Sequence, residues 1–207
     1  MTTTTQPRPF TPFSRILHWT MAVLVLAMLF IGIGMVSSVS AYHQLVVIHK
    51  PLGILVLILV AIRLVNRLIN PPPPLPDAMP AWQRFAALGS HVLLYALMFA
   101  VPIVGWAMLS AARYPVVLYG ALQLPPIMPQ NPALFAVLRE THTVLALLLF
   151  VTFLAHFGAA LMHALIFRDD VFPSMTFWGL RERAGTASGG HDSAAHASAT
   201  PALVKSE

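Results

Sequence analysis

The sequence contains no cysteine and few charged residues, and both shortages restrict what the protein can be. Without cysteine, the chain cannot form disulfides, thiolate-ligated zinc sites, cysteine-held iron–sulfur clusters or the attachment of a c-type haem. Charged residues make up 9% of its 207 residues, against roughly 25% in soluble domains. Together with a mean hydropathy of +0.76, this composition predicts a membrane protein.

Acidic residues are also scarce, so the formal net charge is +5. The basic residues are scattered between apolar blocks and do not form one basic surface. This distribution is typical of membrane topology signals, and we do not expect the chain to bind nucleic acid.

Four long apolar segments are present, at about residues 16–36, 45–69, 88–110 and 141–167. Each is long enough to cross a bilayer core, which takes about 20 residues. Because backbone polar groups must be satisfied inside lipid, we predict an all-α up-down four-helix transmembrane bundle. The first segment exceeds the 7–15 apolar residues typical of a signal peptide, so we expect it to be retained.

The connections and ends differ in composition from the spans. Residues 1–15 form an N-terminal segment, residues 16–183 the bundle, and residues 184–207 a tail whose composition predicts disorder. Residues 70–76 form a proline-rich spacer that ends the second span. In the segment before the fourth span, Asn131 followed by Pro132 predicts the start of a short interfacial helix through Arg139.

Basic residues predict the orientation of the bundle. Nine of them flank one side of the spans, and three (Lys50, Arg113 and Arg139) flank the other. The positive-inside rule therefore places both termini in the cytoplasm. A bacterial inner membrane is the simplest location.

Seven of the nine histidines lie in or at the edge of a span: His18, His43, His49, His91, His142, His156 and His163. An ionisable residue at membrane depth is costly, so it usually has a partner or a function. A hydrogen bond between helices explains any one of them. Several histidines at matching depths indicate a shared role.

Histidines on different spans lie at matching depths in the bilayer, and they do so at two levels. His142 and His156 are fourteen residues apart, which is about 21 Å and nearly four whole helical turns, so both lie on one helix face. His18 enters the first span level with His156, and His49 enters the second level with His142. Two facing imidazoles without cysteine predict a bis-histidine haem b site at each level.

These residues resemble the bacterial cytochrome b561 family over about residues 13–172. The matching motifs are Ser-Arg-Ile-Leu-His18-Trp19, Ile-His49, Arg63-Leu-Val-Asn-Arg67, His91-Val-Leu-Leu-Tyr95, Thr-His142, and His156-Phe-Gly-Ala-Ala-Leu-Met-His163. The bundle also resembles the membrane cytochrome subunits of formate dehydrogenases and nickel–iron hydrogenases.

The resemblance implies two b haems, one ligated by His18 and His156 and one by His49 and His142. Self-contained bacterial members resemble superoxide oxidases, enzymes that pass the electron of periplasmic superoxide to ubiquinone. Histidines at the positions of His91 and His163 lie by the quinone in that group. The predicted depths of His91 and His163 agree with this role, since each lies at the cytoplasmic edge of the bundle. An imidazole there can bind a quinone carbonyl and pass a proton.

Alternatives remain for the function and for the basic residues. The chain is either this enzyme, an anchor subunit relaying electrons for a periplasmic dehydrogenase or hydrogenase, or a histidine-lined transporter. Lys50, Arg113 and Arg139 either attract superoxide or mark topology. Arg63, Arg67 and Arg168 either hold haem propionates or lie among lipid headgroups, and the headgroup role is simpler for each.

Overall fold

Four long helices form most of the described structure. The structure is a computed structural model, and it describes residues 10–72, 80–118, 122–168 and 171–176. Each long helix is apolar and long enough to cross a membrane; they are α1 (Pro12–Ser37), α2 (Tyr42–Ile69), α3 (Ala81–Ala111) and α4 (Pro132–Met162). Within the described ranges there is no β-strand, apart from an isolated bridge between Val117 and Gln123. The prediction of an all-α membrane protein with four spans is confirmed.

Capping explains why the first helix begins four residues before the predicted start. The Thr11 side chain accepts a hydrogen bond from the Ser14 backbone N–H at 3.2 Å, and Pro12 occupies the first helical position. Both features favour a helix start at this point. The helix therefore includes Arg15, which is buried at 1% exposure and is not a headgroup-facing residue.

The separate interfacial helix predicted through Arg139 is wrong. Its start is as predicted, since the Leu134 backbone N–H donates to the Asn131 side-chain oxygen at 3.0 Å. However, α4 continues from Pro132 through the fourth span to Met162. The reason is that Arg139-Glu140-Thr141 contains neither proline nor glycine, so nothing ends the helix there.

A layer of apolar side chains lies between the two histidine levels. Val25, Val56, Leu97 and Leu149, one from each long helix, form one buried cluster. Each side chain of this cluster from α1, α2 and α4 lies seven residues beyond a histidine, which is about two helical turns. The outward faces stay apolar, with Val23 65% and Phe30 61% exposed, and such faces suit contact with lipid.

The connection between α3 and α4 is anchored to the end of α3. The Trp106 indole N–H donates to the Pro125 carbonyl at 3.1 Å, and the Ser110 hydroxyl accepts from the Ile127 N–H at 3.2 Å. The Asn131 N–H donates to the Ala111 carbonyl at 3.1 Å. These bonds fix the point at which α4 begins.

The chain divides into two compact units, Met1–Ala160 and Leu161–Glu207, and each is described by itself. The first holds the packed portion of the long helices. In the second, a π-helical segment (His163–Phe167) continues from α4, and the five-residue α5 (Val171–Met175) follows. The predicted tail at 184–207, residues 73–76 of the proline-rich spacer and residues 1–9 lie outside the described residues.

Candidate functional site

The structure brings His18 of α1 and His156 of α4 together. Their ring centroids are 6.5 Å apart and the rings cross at 73°. Trp19 packs edge-on against His18, with 5.6 Å between ring centroids. This juxtaposition is the one expected from the matching depths of the two residues.

His49 of α2 and His142 of α4 form a second pair at the other end of the bundle. Their centroids are 6.3 Å apart and the rings cross at 76°. Both pairs therefore share α4 and have nearly the same separation. Such a repeat at two depths is not what isolated interhelical hydrogen bonds would produce.

The separation within each pair fits one metal atom between two imidazole nitrogens. A metal–nitrogen bond of roughly 2 Å on each side, with about 1 Å from each nitrogen to its ring centroid, gives about 6 Å between centroids. Two ligands per level are also the number that porphyrin iron leaves open on its two faces. In the described ranges, no group of three or more His, Cys, Asp or Glu side chains is placed to hold a bare metal ion. The residues present fit a haem at each level.

The ring of His142 is held by the backbone of α3. Its Nδ1 lies 3.1 Å from the Val101 carbonyl oxygen. Because a carbonyl only accepts, Nδ1 carries the proton in the neutral ring, which leaves the Nε2 lone pair free to bind a metal. A backbone carbonyl in this position is the usual way in which proteins orient a ligating histidine.

Gly105 makes room for the same ring. A Cβ atom on this residue would lie 3.1 Å from Cε1 and 3.3 Å from Nδ1 of His142. Both distances are shorter than ordinary contacts between nonbonded carbon atoms, which are roughly 3.5–4.0 Å. The sequence alone gave no indication of this role, because it depends on how α3 faces α4.

His49 carries a buried nitrogen whose hydrogen-bonding capacity is unused. Its Nδ1 is inaccessible and has no hydrogen-bond partner among the described residues. A buried polar atom without a partner costs roughly 1–3 kcal/mol.

A third imidazole and an arginine lie beside the His18–His156 pair. The His91 ring centroid is 5.4 Å from that of His156, and an Arg63 guanidinium nitrogen, Nη2, is 2.8 Å from His18 Nδ1. The prediction that His91 lies beside this level agrees with its position. The contact between Arg63 and His18 was not predicted, because it depends on the rotation of α2 against α1.

The remaining predicted residues lie elsewhere. His163 belongs to the second unit and packs against Phe167, with 5.2 Å between centroids, so its expected role beside His91 stays a prediction. Among the three basic residues predicted for the side opposite the termini, Lys50 is half-buried, and Arg113 and Arg139 are exposed. Arg113 adopts a left-handed backbone with φ of 60° where the chain leaves α3.

Comparison with known proteins gives a consistent match over most of the chain. A family model described as prokaryotic cytochrome b561 matches residues 9–178. Cytochrome b561 homolog 2 of Escherichia coli (strain K12) is 32% identical over 179 residues, which cover 84% of this chain and 95% of the relative. Probable superoxide oxidase CybB of Yersinia pestis is 29% identical over 77% of this chain and 90% of its own length.

Proposed function

The chain belongs to the prokaryotic cytochrome b561 family, and from that membership we propose a dihaem enzyme that oxidises superoxide and reduces ubiquinone. Membership makes it a multi-pass bacterial membrane protein that binds haem b and transfers electrons. We further propose that the protein binds two haems and lies in a bacterial inner membrane. Electrons would flow from the periplasmic face to quinone near the cytoplasmic face.

The observation that carries the proposal is the repeated imidazole pair. His18 with His156 and His49 with His142 stand at centroid separations of 6.5 and 6.3 Å. Each pair would hold one haem b, whose iron supplies one-electron oxidation and reduction. The spacing of His142 and His156 along α4 separates the two levels by about 21 Å, and electrons would pass from one level to the other through the bundle.

The residues around each pair would orient the ligands and exclude water. The Val101 carbonyl would orient the His142 ring with its Nε2 lone pair available, and Gly105 leaves room for that ring. The buried Val25, Val56, Leu97 and Leu149 lie between the levels, so no charged or hydrated group from this cluster interrupts the path. A dry interior keeps protons from following the electron through the bundle.

Quinone reduction needs protons as well as electrons, and His91 is suited to supply them. It lies beside His156 on α3, next to the level at which electrons would leave. A neutral imidazole can donate a hydrogen bond to a quinone carbonyl and pass a proton near neutral pH. His163 is proposed for the same function from the family resemblance.

Superoxide as the donor is supported by the name of one relative, the probable superoxide oxidase of Yersinia pestis, and by the positive charge at one end of the bundle. Lys50, Arg113 and Arg139 are the cations at the opposite end, where an anion would be attracted to the His49–His142 level. Two superoxide anions would each lose one electron to become dioxygen. One ubiquinone would take both electrons and two protons to become ubiquinol.

The test is superoxide-driven ubiquinone reduction by the purified full-length protein. Enzymatically generated superoxide should reduce the haem of the wild-type protein, which is expected to carry two haems. The reduced protein should then reduce ubiquinone. Haem that is not reduced by superoxide would favour an anchor subunit for a periplasmic dehydrogenase or hydrogenase. Protein without Soret and split α bands would refute the haem proposal and leave a histidine-lined transporter.

A further inference from the structure

Arg63 places a positive charge inside the bundle with only neutral partners in the part of the chain that the structure describes. Its guanidinium lies 2.8 Å from His18 Nδ1 and interacts with the Tyr95 side chain. The only carboxylate side chain in the described ranges is Glu140, which is exposed on α4 near the opposite end. A cation at membrane depth usually pairs with an ionisable group of opposite charge or with backbone carbonyls.

The contact with His18 also competes with haem ligation. An arginine guanidinium only donates hydrogen bonds, so His18 Nδ1 must accept and the neutral ring then carries its proton on Nε2. Iron ligation through Nε2 requires the opposite tautomer, with the proton on Nδ1. When His18 ligates iron in this way, Arg63 must therefore turn to another acceptor.

We propose that this acceptor is a propionate carboxylate of the haem held by His18 and His156, so that Arg63 is a positioning residue for that haem. The inference rests on the proposed function. Arginine is suited to the task because its planar fork binds a carboxylate through two parallel N–H···O bonds. A lipid phosphate has the same chemistry, so the experiment must separate the two sources.

Arg67 provides a matched control on the same helix. It lies one turn beyond Arg63, and its guanidinium carbon stands 5.9 Å above the Tyr95 ring centroid, where the aromatic face stabilises the charge. Arg67→Gln removes the same charge from nearly the same depth without removing the group that contacts His18. An effect of total charge would appear equally in both variants.

The experiment measures haem loss from full-length protein to a haem scavenger, in phospholipid-free detergent. Wild type, Arg63→Gln, Arg63→Lys and Arg67→Gln are loaded with haem b, or with its dimethyl ester, which has no carboxylates. With haem b, one of two loss phases should be about tenfold faster in Arg63→Gln, the size expected for a lost hydrogen bond to a charged group. Arg63→Lys should be intermediate and Arg67→Gln close to wild type.

With the dimethyl ester, all four proteins should lose haem at the same rates. Equal rates for wild type and Arg63→Gln with haem b would overturn the inference. A difference that persists with the ester, or that appears only after phospholipid is added, would show that the propionates are not the acceptor of Arg63 and would also overturn the inference. If wild type binds no haem at all, the proposed function itself fails, so the two failures can be told apart.

Discussion

Replacing Gly105 by alanine is a selective perturbation of one histidine pair. The new Cβ would lie 3.1 Å from Cε1 and 3.3 Å from Nδ1 of His142, so the ring must move by a few tenths of an ångström. The Nδ1–Val101 hydrogen bond already measures 3.1 Å, and such a shift takes it toward the limit of about 3.2 Å for an N–H···O bond.

The free energies involved predict that Gly105→Ala disturbs the His142 ring locally without unfolding the protein. A lost hydrogen bond costs roughly 0.5–1.5 kcal/mol, while alanine in place of glycine inside a helix gains roughly 0.5–1 kcal/mol. The overall free energy of unfolding should therefore change by less than about 1 kcal/mol. Disturbing the group that orients a ligating histidine typically weakens metal binding by roughly 10–100-fold, so haem at the His49–His142 level should be lost at least about tenfold faster.

Gly89→Ala is the matched control, because Gly89 lies on the same helix and an added Cβ meets nothing within 4 Å. The assay follows haem transfer to a scavenger and thermal unfolding of both variants. Only Gly105→Ala should accelerate one of the two loss phases. Identical haem-loss rates in the two variants would refute the assigned role of Gly105 and of the Val101 carbonyl.

Three further outcomes are expected. His142→Ala and His156→Ala should each bind one haem per chain by pyridine haemochrome assay, and two haems in both variants would disprove the ligand assignment. His91→Gln should slow quinone reduction while leaving haem content unchanged, and unaltered kinetics would make His91 a packing residue. Asn131→Ala should destabilise the start of α4 by about 1 kcal/mol, as for other N-caps, seen as a lower melting temperature with haem content retained.

The spans and the histidine pairing could be predicted because both depend on position along a helix. Length and hydropathy give the depth of each residue in the bilayer, and fourteen residues bring His142 and His156 back to one face. The antiparallel order then matches His18 and His49 with their partners by depth alone. No side-chain detail is needed for that argument.

Other features were missed because they depend on capping and on the rotation of one helix against another. Hydropathy placed the start of α1 after Arg15, but Thr11 and Pro12 determine where the helix begins. Likewise, the contacts of Arg63 with His18 and of His142 with Val101 join residues 45 and 41 positions apart. Spacing within one helix does not contain that information.

The central claim is that two facing imidazole pairs each hold one haem b. The most direct measurement is haem stoichiometry of the purified full-length protein, combined with electron paramagnetic resonance of its oxidised form. We predict two haems per chain, both with low-spin bis-histidine spectra. One haem or none, or a haem with a different axial ligand, would contradict the account.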